Sequence, residues 1–193
     1  MPNNGKMESP DRIILGSGNL YCVVFEGELP PNEEIEKDEN LLSLIQGGAS
    51  VEYKPSLYEA KDDMGKVSKV IMTEEEAILK SGLMTLNAQV FEKLSSTARV
   101  STAGNKRVVK IGGASNQNGK KYLLHFHHID KLDGDIRLRI VGQNQAGFTL
   151  AFAKDKETIV DAEFKAQPMD KEGTLIYYEE EIENEAAEPE DDE

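Results

Sequence analysis

The chain has 193 residues, 22 lysines and arginines against 36 aspartates and glutamates, and a formal charge of −14. That length buries a hydrophobic core and fits one domain. The lone cysteine, Cys22, excludes an intrachain disulfide, and the carboxylate excess argues against a basic groove that holds nucleic acid by its phosphates.

The first ten residues, MPNNGKMESP, lack the apolar core of a signal peptide, and the apolar runs fall short of a membrane span. Neither export nor insertion is expected, and a reducing compartment suits Cys22, read as a small buried hydrophobe. Residues 1–11 read as a flexible N-terminus. From Ile13 onward, short alternating or β-branched runs are broken by Gly, Asn and Asp clusters, which is an antiparallel β signature.

Strands are predicted at RIIL (12–15) and NLYCVVFEG (19–27). PPNEEIEKDENLLSLIQGG (30–48) reads as a long acidic loop with a short helix near Leu41 to Ile45. ASVEYKPSLYEA (49–60) then runs out to a turn at AKDDMGK and returns as KVSKVIMTEEEAILKSGLMT (66–85), with a break. NAQVFEKLSS is the one convincing helix: Asn87 caps free amides, and Val90, Phe91 and Leu94 share a face. The remaining strands are ARVSTA (98–103), KRVVKIG (106–112), KYLLHFHHID (121–130), DIRLRIV (135–141), FTLAFA (148–153), TIVDAEFKAQ (158–167) and GTLIYYEE (173–180). Phe148 to Ala153 and Tyr177 with Tyr178 are assigned to the core. EEEIENEAAEPEDDE (179–193) holds ten carboxylates and no base, leaving about −4 for the rest. It reads as an acidic tail, expected to be disordered beyond about Glu181, with the folded domain spanning 12–178.

In the hairpin beginning at Ala49, alternation puts Val51, Tyr53, Pro55 and Leu57 on one face and Glu52, Lys54, Ser56 and Tyr58 on the other. Pro55 cannot donate to a ladder, which predicts an edge strand or a bulge there. A second hairpin carries all three histidines. If Asp133 and Gly134 make a type I′ turn, Asp130 faces Arg137 and His128 faces Arg139. His125 and His127 then share a face with Ile129, Leu138 and Ile140, while His128 lies beside Phe126 and Val141.

Only two imidazoles converge in that register, and zinc needs three or four ligands, so the histidines read as hydrogen-bonded strand residues and no metal site is assigned. GGASNQNGKK (112–121) fails as a phosphate loop, because Asn118 stands where glycine is needed and Lys121 where Ser or Thr should hold magnesium. ILGSGNL (14–20) reads as a turn. No Gly-x-Ser-x-Gly elbow or His-Glu-x-x-His helix is present, and Thr73 to Glu76 suit a charged edge better than an acid and base pair. NKRVVKIGG and KKYLLHFHH are basic only locally. No catalytic residue and no cofactor is assigned.

Several segments together, GGASVEYKPSLYEAKDDMGKVSKVIMTEEEAILKSGLMT, STARV, KRVVKIGG and DGDIRLRIVGQNQAGFTLAFAKDKETIVDAEFKAQPMDKEGTLI, resemble the tail tube (major tail) proteins of long-tailed phages and prophages of Firmicutes. The resemblance covers about residues 12–178. It implies a mainly β, two-sheet antiparallel sandwich or barrel with one α-helix and a long protruding hairpin. It also implies a virion protein assembled in the host cytoplasm into stacked hexameric rings around a tape measure protein, with tip and terminator proteins at the ends and DNA passing through unbound. In that family a long hairpin and its neighbouring sheet build the inner barrel, a role that residues 49–80 suit by their length.

The expected subunit interface is then Val51, Tyr53, Leu57, Tyr58, Val70 and Met72 on the hairpin, an exposed edge strand that a neighbouring copy completes. Glu52, Glu59, Asp62, Asp63, Glu74, Glu75 and Glu76 are expected to line the bore, since an acidic wall releases DNA where a basic one grips it. Two rivals remain: an acidic β-sandwich binding module that mimics DNA or docks a basic protein, and a metal-assisted enzyme built on the hairpin histidines.

Overall fold

The computed structural model describes residues 16–64, 68–131, 134–155 and 157–181. Strand β1 (Asn19–Val24) leads through helix α1 (Asn32–Ile35) to β2 (Leu41–Ser43). Next come the long pair β3 (Ile45–Lys61) and β4 (Ser68–Leu83), helix α2 (Ala88–Leu94) and the short pair β5 (Arg99–Ala103) and β6 (Lys106–Lys110). Strands β7 (Tyr122–His128), β8 (Ile136–Asn144), β9 (Val160–Gln167) and β10 (Tyr177–Glu180) follow. Eight strands form one sheet in the order β2-β1-β7-β8-β9-β4-β3, with β10 beside β8, and β5 and β6 form a second small sheet. Every pairing is antiparallel, and the mainly β class is as predicted.

Strands β2 and β3 lie at opposite ends of that order, yet only Leu44 separates them in the chain, so the sheet curls until its edges meet. The amide of Met84 donates to the Leu44 carbonyl at 2.8 Å, and the Ser43 and Thr85 hydroxyls meet at 3.0 Å, tying this seam. Inward positions alternate along each strand: Leu20 and Cys22, Leu79 and Leu83, Leu124, Ile140 and Phe164 all enter one buried cluster. Each such side chain fully withdrawn from water stabilises the fold by about 1.5–3 kcal/mol. Burial also pushes the Cys22 thiol up to about 12, which leaves it an inert apolar group. Helix α2 adds Val90 and Leu94 to this core, and its N-terminus is capped as the sequence predicts, Asn87 Oδ1 accepting from the amides of Gln89 (2.8 Å) and Val90 (3.1 Å). A second cluster, Tyr21, Leu123, Val141, Ile35 and Met169, covers the outer face.

Gly142 lies where β8 is gripped by β7 on one side and β9 on the other. A methyl group there would stand 2.1 Å from the Lys165 carbonyl oxygen and 2.9 Å from its carbon. Backbone in a paired strand cannot swing aside, so Gly142→Ala is expected to cost about 2 kcal/mol, read as a lower urea midpoint at unchanged slope.

Several expectations are corrected. The helix in the acidic segment sits at Asn32–Ile35, and Leu41–Ser43 is strand, because Leu42 enters the inner core while Leu41 packs on the outer cluster, a two-residue period. The return strand has no break; Ser68–Leu83 is continuous, and a bulge opposite Ser56 and Leu57 absorbs the irregularity. FTLAFA forms no strand. β9 takes the places beside β4 and beside the second half of β8; Phe148 packs on Phe91 at 5.5 Å, and Phe152 is 83% exposed. Tyr177 and Tyr178 are strand residues but exposed rather than core.

The β7–β8 register also differs. His125 pairs with Arg139, His127 with Arg137 and His128 with Ile136, three residues from the register a two-residue turn would impose. The observed offset pairs Leu123 with Val141, Leu124 with Ile140 and Phe126 with Leu138, so apolar rows outweigh the local Asp-Gly signal. The proposed boundary after 178 runs through β10, where Glu179 and Glu180 pair with Arg137 and Ile136. The predicted strand at 12–15, the N-terminus 1–11, the run 182–193, the end of the turn at 65–66 and Asp133 lie outside the described residues.

Candidate functional site

β9 pairs with β4 only from Ile78 to Leu83, so the outer parts of β3 and β4 continue as a two-stranded arm. From Tyr53 paired with Ala77 to Lys61 paired with Ser68, the arm extends roughly 25 Å. Pro55 behaves as predicted on both counts: β3 is the edge strand, and a bulge begins one residue later. The register runs Ser56 with Glu74, then Leu57 with Met72, so Thr73 is the extra residue, its hydroxyl donating to the Ser56 carbonyl at 3.2 Å.

That single insertion reverses the facing of β4 beyond it. Val70 and Met72 join the side that carries Ala77 and Leu79, opposite Glu59 and Leu57. Without the bulge they would share a side with Glu74 and Glu76. The core-side face of the arm therefore becomes a stripe of Val51, Tyr53, Leu57, Met72 and Val70. The Tyr53 hydroxyl donates to Glu75 at 2.9 Å and reaches Met72 Sδ at 3.9 Å, in keeping with this facing. Val51 packs on the core, whereas Tyr53 (47%), Leu57 (64%), Val70 (55%) and Met72 (54%) are exposed. Tyr58 lies on the opposite face with Ile71, so the six predicted interface residues divide between two sides.

The outer face is a charge ladder. Glu52 pairs with Lys54 (2.7 Å) and Lys80 (3.5 Å), Lys80 with Glu163 (3.7 Å), and Glu76 with Lys165 (2.7 Å). Lys54 holds Glu52 below the usual carboxylate range, and Lys165 does the same for Glu76. On the core-side face, beyond Leu57, Glu59 pairs with Lys61 at 2.9 Å. Of the seven predicted bore carboxylates, three are thus matched by lysines and Glu75 accepts from Tyr53. Asp62 and Asp63 follow β3 at the tip, and Glu74 and Asp63 make no ion pair among the described residues.

The histidines take part in a cluster that sequence reasoning missed. The odd register offset sets His125 and His127 beside Arg137 and Arg139 on the outer face, where Glu36, which follows α1, reaches across. Glu36 meets His125 Nε2 at 2.9 Å, His127 Nδ1 at 3.3 Å and Arg137 Nε at 2.7 Å. Asp135 meets His127 Nε2 at 2.7 Å, and Glu181 takes a 2.6 Å bond from Arg137. Arg139 donates to Asn32, to Glu179 at 3.4 Å and to His125 Nδ1 at 3.1 Å, and stacks over Tyr177. Because Nδ1 of His125 accepts, its proton is on Nε2 and the ring is neutral. Burial pushes its pKa down to about 4. Burial works to raise Glu36, but bonds from Arg137 and His125 hold it below its ordinary value. His128 turns to the other side, its Nδ1 meeting the Ser17 carbonyl at 2.8 Å.

Chemically this cluster fastens. It joins the segment after α1, the β7–β8 hairpin and β10 by ion pairs, and among the described residues no three His, Cys, Asp or Glu are placed to hold a metal ion. Alternating Arg137 and Arg139 opposite His125 and His127 were the visible signal, obscured by the turn-based register. No protein-family model matches the chain, and no curated protein is significantly similar to it.

Proposed function

We propose that the chain is a non-catalytic structural subunit that self-assembles into stacked rings, forming the tail tube of a long-tailed phage through which DNA passes. The observation that carries this is the arm: an apolar stripe that continues the barrel core beyond the last supporting strand, with the far edge of β3 unpaired among the described residues. A two-stranded ribbon alone in water is marginal, and an open edge invites another strand. A second copy supplies both a third strand and a cover for Tyr53, Leu57, Val70 and Met72. The resemblance of its segment order to that of tail tube proteins supports the same reading, and with it a virion location and a tape measure protein within the bore. Glu74 and Asp63, which no lysine neutralises among the described residues, then present the net negative charge that lets DNA slide.

Negative-stain electron microscopy of the purified chain is expected to show rings or tubes. The triple variant Tyr53→Ser, Leu57→Ser and Met72→Ser is expected to form no rings and to be monomeric at 500 mM salt, with its thermal midpoint within a few degrees of the parent, since these side chains are exposed in the subunit. A parent that remains monomeric at high concentration in every salt and pH would sink the proposal and favour an acidic binding module.

A further inference from the structure

Residues 93–129 contain seven lysines and arginines and no carboxylate, in a chain of net −14. Four of them lie on the β5–β6 ribbon. Arg99 pairs directly with Lys110 and Ala103 with Lys106, so three cations share one face. Like charges opposite one another cost stability, and all four cations are exposed. Lys54, Lys61, Lys80, Lys165 and Lys120 find carboxylates. Arg99, Lys106, Arg107 and Lys110 have none among the described residues.

The ribbon sits beside α2, at the end of the barrel where β7 begins and β8 finishes. Asn144 donates to the Leu94 carbonyl at 3.0 Å, and the amide of Asn118 to that of Ser96 at 2.8 Å. The acidic run leaves from the opposite end. Its Glu181 amide bonds the Asp135 carbonyl at 2.9 Å, next to the end of β10. Along β7 these ends are roughly 20 Å apart. β10 is antiparallel to β8, so the chain departs heading away from its own ribbon. Seven carboxylates and no base follow within 182–193.

We propose that the β5–β6 ribbon of one copy receives the acidic run 182–193 of a second copy. Opposite charges at opposite poles make a head-to-tail contact, which repeats along an axis rather than closing as a pair. Every subunit carries one ribbon and one run, so donors and acceptors match one to one. Copies already stacked hold the run near the next ribbon at high effective concentration. Free duplex DNA lacks that tether and meets a chain of net −14. The inference rests on the self-assembly reading but not on the arm.

The test uses full-length chains carrying the arm triple variant, so that arm-driven assembly is silent. One adds Arg99→Glu, Lys106→Glu and Lys110→Glu; the other replaces the seven carboxylates of 182–193 by their amides. Sedimentation at 50 mM salt is expected to show each alone as a monomer and a 1:1 mixture as a heterodimer, weakened at least about tenfold at 500 mM. If charge reversal unfolds the ribbon, glutamine at the same three positions gives the same readout. A mixture that stays monomeric at 50 mM overturns the proposal, and so does an arm triple variant with ribbon and run both intact that is monomeric there while the mixture pairs, as it is when the run folds back on its own ribbon. So does binding of a 30-base-pair duplex by the parent that ribbon reversal abolishes. Loss of rings in arm variants with the heterodimer intact would leave this contact standing and separate the two ideas.

Discussion

Arg137→Ala is expected to destabilise the chain by about 3–5 kcal/mol, the scale for breaking a buried ion pair from one side. The guanidinium is nearly enclosed and donates at 2.7 Å to Glu36, 2.6 Å to Glu181 and 3.4 Å to Asp135. Burial opposes its charge, yet the bonds to Glu36 and Glu181 hold its pKa above the ordinary arginine value. Truncation leaves the Glu36 carboxylate, itself mostly enclosed, with only His125 and His127 against it. Glu181 is half exposed, so its share is small and Glu36 decides the magnitude. Urea unfolding reads the loss as a lower midpoint, and hydrogen exchange in β10 should accelerate with it, because Glu181 at its end loses its anchor. Arg137→Lys restores little, since one ammonium cannot serve three carboxylates from a planar fork. Replacing both partners, Arg137→Met with Glu36→Leu, should recover most of the stability. A loss below 1 kcal/mol for Arg137→Ala would mean the cluster is effectively solvated.

The arm was legible because its signals are local and agree. Alternation marks both strands, Pro55 marks an edge and a bulge, and Asn87 marks the start of α2. What failed involved competition between local and distant terms. Asp133-Gly134 argues for a tight turn, but keeping Leu124, Phe126, Leu138 and Ile140 inward requires another offset, and burial of four large side chains outweighs one favoured turn. An odd slip exchanges faces, so that error alone hid the meeting of His125 and His127 with the two arginines. Glu36 lies 89 residues from His125 in the chain, and no pattern in the sequence announces such a pair. FTLAFA has strand composition, but β9 takes the place between β8 and β4, a property of the whole sheet rather than of six residues. Thr73 is the most instructive case: the run MTEEE breaks the alternation, which looks like the end of a strand and proves to be the bulge that aligns Met72 and Val70 with the core face.

Lowering the pH from 7 to 4 is expected to remove about 3 kcal/mol of stability through His125 alone. Its folded pKa is about 4 against an ordinary 6.5, so the unfolded chain takes up the proton first. Between those values each pH unit favours unfolding by about 1.4 kcal/mol; above 6.5 both states are neutral, and below about 4 both are charged. The structural reason is specific: a proton on Nδ1 must displace the 3.1 Å bond from Arg139 and then face that guanidinium, with His127 nearby and only Glu36 offering compensation. The carboxylates act in a lower window. Glu36 and Asp135 have depressed folded values, so their contribution is present above the ordinary carboxylate range and disappears as pH falls through the depressed ones. Unfolding free energies measured from pH 7 to 3 should therefore fall in two stages. His125→Gln, which cannot charge, should flatten the first stage and spare the second. A variant that keeps the full slope between pH 6.5 and 4 would show that the proton goes elsewhere and that the neutral ring is not what the Arg139 bond selects.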